Sequence, residues 1–150
     1  MCGILGQLNH AIQVNEKSFN KMRDSLTHRG PDDTGTWISN NGFIALGHRR
    51  LSFIDLSKNG HQPMANENKT LWLTFNGEIY NYKELRSVLI SKGHIFKSTS
   101  DSEVLLHGYE EWGTGLLDKI KGMFTFGIWD AQKKKLFLAR DRFGIKPLYY

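Results

Sequence analysis

Cysteine is nearly absent: Cys2 carries the only thiol in 150 residues. No internal disulfide can form, which excludes the disulfide-stapled class of small secreted domains and suits a reducing compartment. The six histidines form no His-x-x-x-His run and there is no CxxC pair, so no zinc motif is legible and no metal is expected. Phosphate loops are missing too. Neither GxxxxGK[ST] nor GxGxxG occurs, which leaves no nucleotide site to expect within these residues. No apolar run approaches the roughly 20 residues that span a bilayer. ILGQL near the start is too short for a secretion signal and has no basic segment before it. The expectation is a soluble, cytoplasmic chain without a membrane partner. Charge is not concentrated either. The net charge of +5 is mild, and its densest cluster, Lys133-Lys134-Lys135, suits a solvated turn better than a nucleic-acid patch.

What is present suits one domain: 39% of residues are hydrophobic and 12% aromatic, enough to bury a core. Residues 2–8 read as a buried strand. Asn15 caps a helix running to about His28, with Phe19, Met22 and Leu26 on one face. RGPDDTG (29–35) reads as a loop. Strands follow at 36–39 and 43–54 around the turn residues Asn40-Asn41-Gly42, then a long loop at 56–64. Leu71, Leu73 and Phe75 alternate in a strand that ends at Asn76-Gly77. Asn81 with Glu84, and Ser100 with Glu103, resemble capping boxes. The first opens a helix with Leu85, Val88 and Leu89 inward, and the second opens one through Trp112. Leu116, Leu117 and Ile120 suggest a further short helix. MFTFGIWD and KLFLARD flank AQKK as a β-hairpin, which puts the basic run at its tip. Strands and helices come in blocks, so the class is α+β with antiparallel sheet.

Five places carry possible chemistry, each with a plainer alternative. Cys2 is either incidental or, once Met1 is trimmed, a thiol and a free α-amine on one residue. Such an amine has a pKa of about 7.7–8.0 and can serve as the nucleophile's own base. In GHRRLS (47–52) two adjacent arginines of a strand face opposite ways. The inward one needs an anion, either an internal carboxylate or a ligand's. Asn76-Gly77 is a hairpin signal by default. Its amide and a closely approachable backbone N–H can also hold an oxyanion. Ser100 and Asp101 are either a helix cap or, for the carboxylate, an acceptor for an ammonium. His48, in a strand beside Arg49 and Arg50, reads as structural.

MCGILG, HRGPDDTG, GHRRLSFIDL, QPM, FNGEIYNY, SDSEVLL, KGMFTFGIWD and LARDRFGIKPLYY follow one another in a single register. Together they resemble the N-terminal glutaminase domain of glutamine-hydrolysing asparagine synthetases, a branch of the class II glutamine amidotransferases. The resemblance runs from Met1 to Tyr150. It implies an N-terminal-nucleophile (Ntn) hydrolase fold, a four-layer αββα sandwich of antiparallel sheets, incomplete at its C-terminus. It implies that Cys2 is the nucleophile after removal of Met1, and that Asn76 and Gly77 form the oxyanion site. Arg50 would grip the α-carboxylate of L-glutamine, and Asp101 the α-ammonium. Leu51, Ser52, Phe53 and Ile54 would form the adjoining substrate-contacting segment, with Glu78 a neighbouring contact. No cofactor is implied within these residues. ATP and Mg would belong to a C-terminal synthetase domain that the sequence does not contain, and a homodimer is allowed. The implied acceptor is aspartate. Another carboxylate (a sugar acid or a peptide) and a non-catalytic binding module on the same fold are the alternatives.

Overall fold

A computed structural model describes residues 1–52, 54, 55 and 57–150. Strand β1 (Gly3–Leu8) pairs antiparallel with β3 (Ile44–Arg50), and β2 (Asp33–Ile38) pairs with the other edge of β3. Alternation along β3 decides what each face meets. Gly47 faces outward, and its missing side chain admits the ring of Phe19, which is fully buried. Phe19 belongs to α1 (Glu16–Asp24), capped by the Asn15 side chain, which accepts from Ser18 N–H at 2.9 Å. Leu46, His48 and Arg50 face the other way, into the molecule.

There they meet a second antiparallel sheet of β4 (Met64–Ala65), β5 (Leu71–Ile79), β6 (Gly122–Asp130) and β7 (Lys135–Arg140), in the order β4-β5-β6-β7. The sheets are joined by polar bonds as well as packing. Thr74 Oγ1 donates to Gly47 O at 3.0 Å, His48 Nε2 lies 3.0 Å from Phe75 O, and Trp37 stacks on Trp72 at 4.5 Å between ring centroids. The opposite face of the second sheet presents Leu73, Phe75 and Ile79 to α2 (Tyr82–Ser91) and α3 (Asp101–Trp112), which close the main core with Leu89, Val104 and Leu105. The result is the expected four layers, helix, sheet, sheet, helices. The β6–β7 hairpin also forms as expected, with Lys133 and Lys134 in its turn and Asp130 accepting from the Gln132 and Lys133 amides.

Several local expectations are corrected. Helix α1 stops at Asp24, and residues 25–29 continue as tight turns, in which Thr27 N–H returns to Asp24 O. Strand β3 ends at Arg50 rather than at 54. Asn76-Gly77 is no turn, because β5 runs on to Ile79 with both residues paired to β6. Val88 is 44% exposed, and α2 buries only Leu85 and Leu89. Asn81 does not cap α2. Its amide bridges to Lys119 O and Lys121 N–H instead, tying the helix start to the β6 entry. The short helix expected around Leu116 is a 3₁₀ helix, Gly113–Asp118.

Candidate active site

The cavity that gathers the candidate residues has a volume of about 250 Å³ and opens where one strand stops short. β4 is two residues long and covers β5 only around Leu73, so beyond that point the outer edge of β5 is bare. Backbone parity then sorts the amides. Phe124, the partner of Gly77, directs its N–H and C=O to Asp141 on its far side, so Gly77 and its odd-numbered neighbours turn their own groups away from β6. On that bare edge the Phe75 N–H is satisfied by Gln62 Oε1 at 2.7 Å, and the Ile79 N–H by Asp101 Oδ2 at 2.9 Å. Between them the Gly77 N–H has no partner among the described residues, and Gly77 lines the cavity. A side chain there would strike Met123 O and Phe124 on β6, so only glycine fits.

Arg50, the last residue of β3, is 8% exposed and reaches into the same cavity. Its guanidinium donates to two backbone carbonyls, Ser57 O at 3.1 Å and Asp55 O, and lies on Gly60, where a side chain would collide with it. It has no ion pair with a carboxylate among the described residues. The internal-partner alternative is therefore not what the fold built. The nearby Asp55 carboxylate is used otherwise. Burial pushes it up, but hydrogen bonds from Ser57 and Thr99 hold it at about 2. Carbonyl dipoles solvate Arg50 without cancelling its charge, which leaves it able to take an anion from a ligand.

Cys2 sits one step before the Gly3–Arg49 pair, on the same inward face as Arg50. Its Sγ lies 3.7 Å from Leu51 O and accepts from Leu51 N–H at 3.4 Å, and Arg29 Nε holds its carbonyl at 3.2 Å. The terminus is thus pinned rather than frayed. Burial raises the thiol above its ordinary pKa, against the lowering effects of the Leu51 amide and the Arg50 charge. At the far wall Asp101 opens α3. Burial, reinforced by the Glu78 charge, lifts its carboxyl to about 6 against the pull of the Ile79 amide.

Of the ten residues singled out in the sequence, Cys2, Arg50, Leu51, Ile54, Asn76, Gly77, Glu78 and Asp101 line this cavity. Ser52 does not: its N–H turns away to Asp32 Oδ2 at 2.8 Å. Phe53 lies outside the described residues. His48 is structural as expected, fully buried and held well below the ordinary range, at about 4, by burial. Sequence reading missed Gln62, Ser102 and Lys146. Gln62 braces the β5 edge from a loop, and Lys146 is a 5% exposed lysine whose Nζ meets the Met1 thioether at 2.9 Å. QPM and GIKP stood in the motif blocks, but nothing local marked their Gln and Lys as cavity residues.

A guanidinium, a carboxylate, an open backbone amide and a thiol in one small cavity match an α-amino acid with a carbonyl in its side chain. A family model described as a glutamine amidotransferase domain matches residues 1–150. The chain is similar to asparagine synthetase [glutamine-hydrolyzing] 2 of Bacillus subtilis (strain 168), at 47% identity over all of this chain and 20% of that protein. It is similar to asparagine synthetase [glutamine-hydrolyzing] 3 of the same organism at 44% identity, over all of this chain and 25% of that one. The chain thus spans a fifth to a quarter of the length of these relatives. Among solved structures, glutamine phosphoribosylpyrophosphate (PRPP) amidotransferase from B. subtilis, complexed with ADP and GMP, superposes with a TM-score of 0.81 at 23% identity, covering 96% of this chain and 38% of that one. That likeness is one of fold.

Proposed function

The chain belongs to the glutamine amidotransferase domain family, and from that premise we propose that its cavity hydrolyses the side-chain amide of L-glutamine at Cys2. The observation that carries the reading is the open Gly77 N–H in one cavity with the Cys2 thiol and an uncancelled guanidinium.

Removal of Met1 frees the Cys2 α-amine. Arg50 binds the substrate's α-carboxylate, bidentately by the shape of its fork, and Asp101 binds the α-ammonium. Glu78 and the Leu51 and Ile54 side chains line the remaining wall. With both ends of the zwitterion held, the amide carbonyl is placed against Cys2. The α-amine takes the thiol proton, through a water, and the thiolate attacks the amide carbon. The negative oxygen that forms accepts hydrogen bonds from Gly77 N–H and the Asn76 side-chain amide, where one such donor is worth about 3–4 kcal/mol. The carbon–nitrogen bond breaks, the amine returns the proton, and ammonia leaves. Water then cleaves the γ-glutamyl thioester, giving glutamate and the thiol.

Ammonia transfer to aspartate, with the ATP and Mg it needs, falls in this proposal to sequence outside these 150 residues, by analogy with the similar glutamine-hydrolysing synthetases. No helix of the described residues is long and apolar enough to cross a membrane. The test is intact-mass measurement combined with labelling by a diazoketone analogue of glutamine. The expected result is loss of Met1 and one adduct on Cys2, slowed by glutamine and abolished in Cys2→Ala together with hydrolysis. A folded sample that keeps Met1 or takes no label overturns the reading. Arg50→Lys is expected to raise KM sharply, because one ammonium cannot reproduce the fork.

A further inference from the structure

Helix α3 carries a second cluster of titratable groups, two turns along from Asp101 and outside the cavity. His107 is 1% exposed, His94 comes from the loop after α2, and Glu110 follows on the same face of α3 as His107. One ligating atom from each lies within 4.8 Å of the others. Glu110 Oε2 is 2.9 Å from His107 Nδ1 and 3.7 Å from His94 Nδ1. Donors placed tetrahedrally at about 2.0–2.2 Å from a zinc ion stand roughly 3.3 Å apart, so the spacing brackets what such an ion needs.

The outer atoms of these three residues are as informative as the inner ones. Glu110 Oε1 is held from behind by Asn66 Nδ2 at 2.7 Å, which leaves Oε2 turned toward the imidazoles. His94 Nε2 stands 3.4 Å from Glu111 Oε2, and Glu111 is itself held by Lys92 at 2.6 Å. His107 Nε2 makes no hydrogen bond among the described residues although it is buried. Its nearest acceptors are Glu103 Oε1 at 3.5 Å and Glu67 Oε1 at 3.7 Å. Glu111 behind His94 Nε2 is the kind of outer partner that metal-bound histidines adopt, and Glu103 and Glu67 stand behind His107 Nε2 while His107 Nδ1 shares its proton with Glu110. Phe96 covers the His107 ring edge-on at 4.6 Å, keeping that side dry.

We propose that His94 Nδ1, His107 Nδ1 and Glu110 Oε2 bind one divalent ion of the zinc class. Two imidazoles and one carboxylate suit zinc, cobalt or nickel rather than calcium or magnesium, which prefer oxygen throughout. On binding, the proton shared by His107 and Glu110 leaves to solvent and the ion takes its place, with water completing the coordination. The ion joins the loop after α2 to the body of α3 and so serves as a structural clamp. The histidines are 13 positions apart in sequence, which is why no motif with short ligand spacing marks the site.

The test uses the full chain carrying Cys2→Ala, so that neither the terminal thiol nor glutamine hydrolysis enters the result. Equilibrium dialysis with zinc is expected to give one ion per chain. Cobalt is expected to give visible d–d absorption without a thiolate charge-transfer band. His94→Gln and Glu110→Gln, both at partly exposed side chains, should each weaken uptake at least 100-fold, and Glu111→Gln about 10-fold through the loss of its outer hold on His94. Circular dichroism checks that each variant folds, and either inner variant alone decides the matter if the other does not. No one-to-one uptake, or uptake indifferent to both inner substitutions, overturns the proposal and leaves the cluster held by protons alone.

Discussion

Asp101 and Glu103 stand two residues apart in the first turn of α3, and each is 5% exposed. Burial pushes both carboxyl groups up, yet they end far apart. Asp101 rises to about 6, because only backbone amides, chiefly that of Ile79, offset burial, and Glu78 adds a like charge. Glu103 falls to about 2, because the His107 ring, the Ser98 hydroxyl at 2.6 Å and the amides of Ser98 and Lys97 at 2.7 and 2.8 Å surround it. The two are equally shut off from solvent, and they differ in the number and kind of donors around them. A buried carboxylate ringed by donors is a finished piece of structure. One left short of donors in a cavity has room for a cation that the protein itself does not supply.

The sharpest way to break this comparison is a crossed pair of isosteric substitutions. Asp101→Asn is expected to lower kcat/KM for glutamine at least about 30-fold, since losing one partner of a buried charge pair costs about 2–5 kcal/mol. Its effect on stability has the other sign. A carboxyl whose folded pKa is raised contributes stability below its ordinary value of 3.8 that is lost as pH rises through about 6, so at pH 7 the neutral amide should melt no lower than the wild type. Glu103→Gln should divide its effects the opposite way. Unfolding free energy should fall by about 1.5–3 kcal/mol, because hydrogen bonds to a charged acceptor are lost, while KM changes by no more than a few-fold. Steady-state kinetics and denaturant melts on the two variants decide between these patterns. Equal damage to KM from both would collapse the distinction.

A smaller effect comes from pH. Glutamine binding to Cys2→Ala, followed by calorimetry, removes the reacting thiol from the comparison. As pH falls below about 6 Asp101 protonates and loses its attraction for the α-ammonium, so affinity at pH 5 should be about tenfold weaker than at pH 7. In Cys2→Ala combined with Asp101→Asn that dependence should vanish. Affinity that is flat across the range in Cys2→Ala would show that Asp101 does not meet the ammonium.

The same contrast separates what was legible in the sequence from what was not. Alternation and helical spacing located β1, β6, β7, α1 and α3 because burial on one face writes a period that single residues carry. Arg50, Asn76-Gly77 and Asp101 were legible as candidates, since a charge inside a strand or a glycine beside an amide conflicts with the plain pattern. The plain alternative at Asn76-Gly77 gave way because β6 pairs across it and carries β5 through to Ile79, a partner 43 or more positions away that no local turn signal reveals. By its spacing from Ser100, Glu103 fits the second half of a capping box. The Ser98 and Lys97 amides outcompete the Ser100 amide for its oxygens, and that choice depends on how the incoming loop folds back over α3. Lys146 and Gln62 were invisible for a similar reason: each enters the cavity from a loop whose path only tertiary packing sets.

The smallest of the expected effects falls on the residue that precedes both carboxylates. Ser100 Oγ accepts from Ser102 N–H at 3.1 Å, the cap of α3, and donates to Ser102 Oγ at 2.9 Å. Ser102 Oγ in turn accepts from Gln62 Nε2 at 3.2 Å, and Gln62 Oε1 takes the Phe75 amide on the β5 edge. One hydroxyl thus closes the helix start and also begins the chain of bonds that braces the strand carrying Gly77. Ser100→Ala removes the cap, for which about 1 kcal/mol is the usual cost, or roughly 2–4 °C in Tm for a chain of this size. If the brace also holds the edge, KM for glutamine rises two- to threefold with it, because Gly77 keeps its position through Phe75 and Ile79 on either side. A melt lowered with KM unchanged would restrict Ser100 to the structural side of the comparison, with Glu103. A rise in KM would make it the hinge between the two, and would place the division between structure and site inside the first turn of one helix.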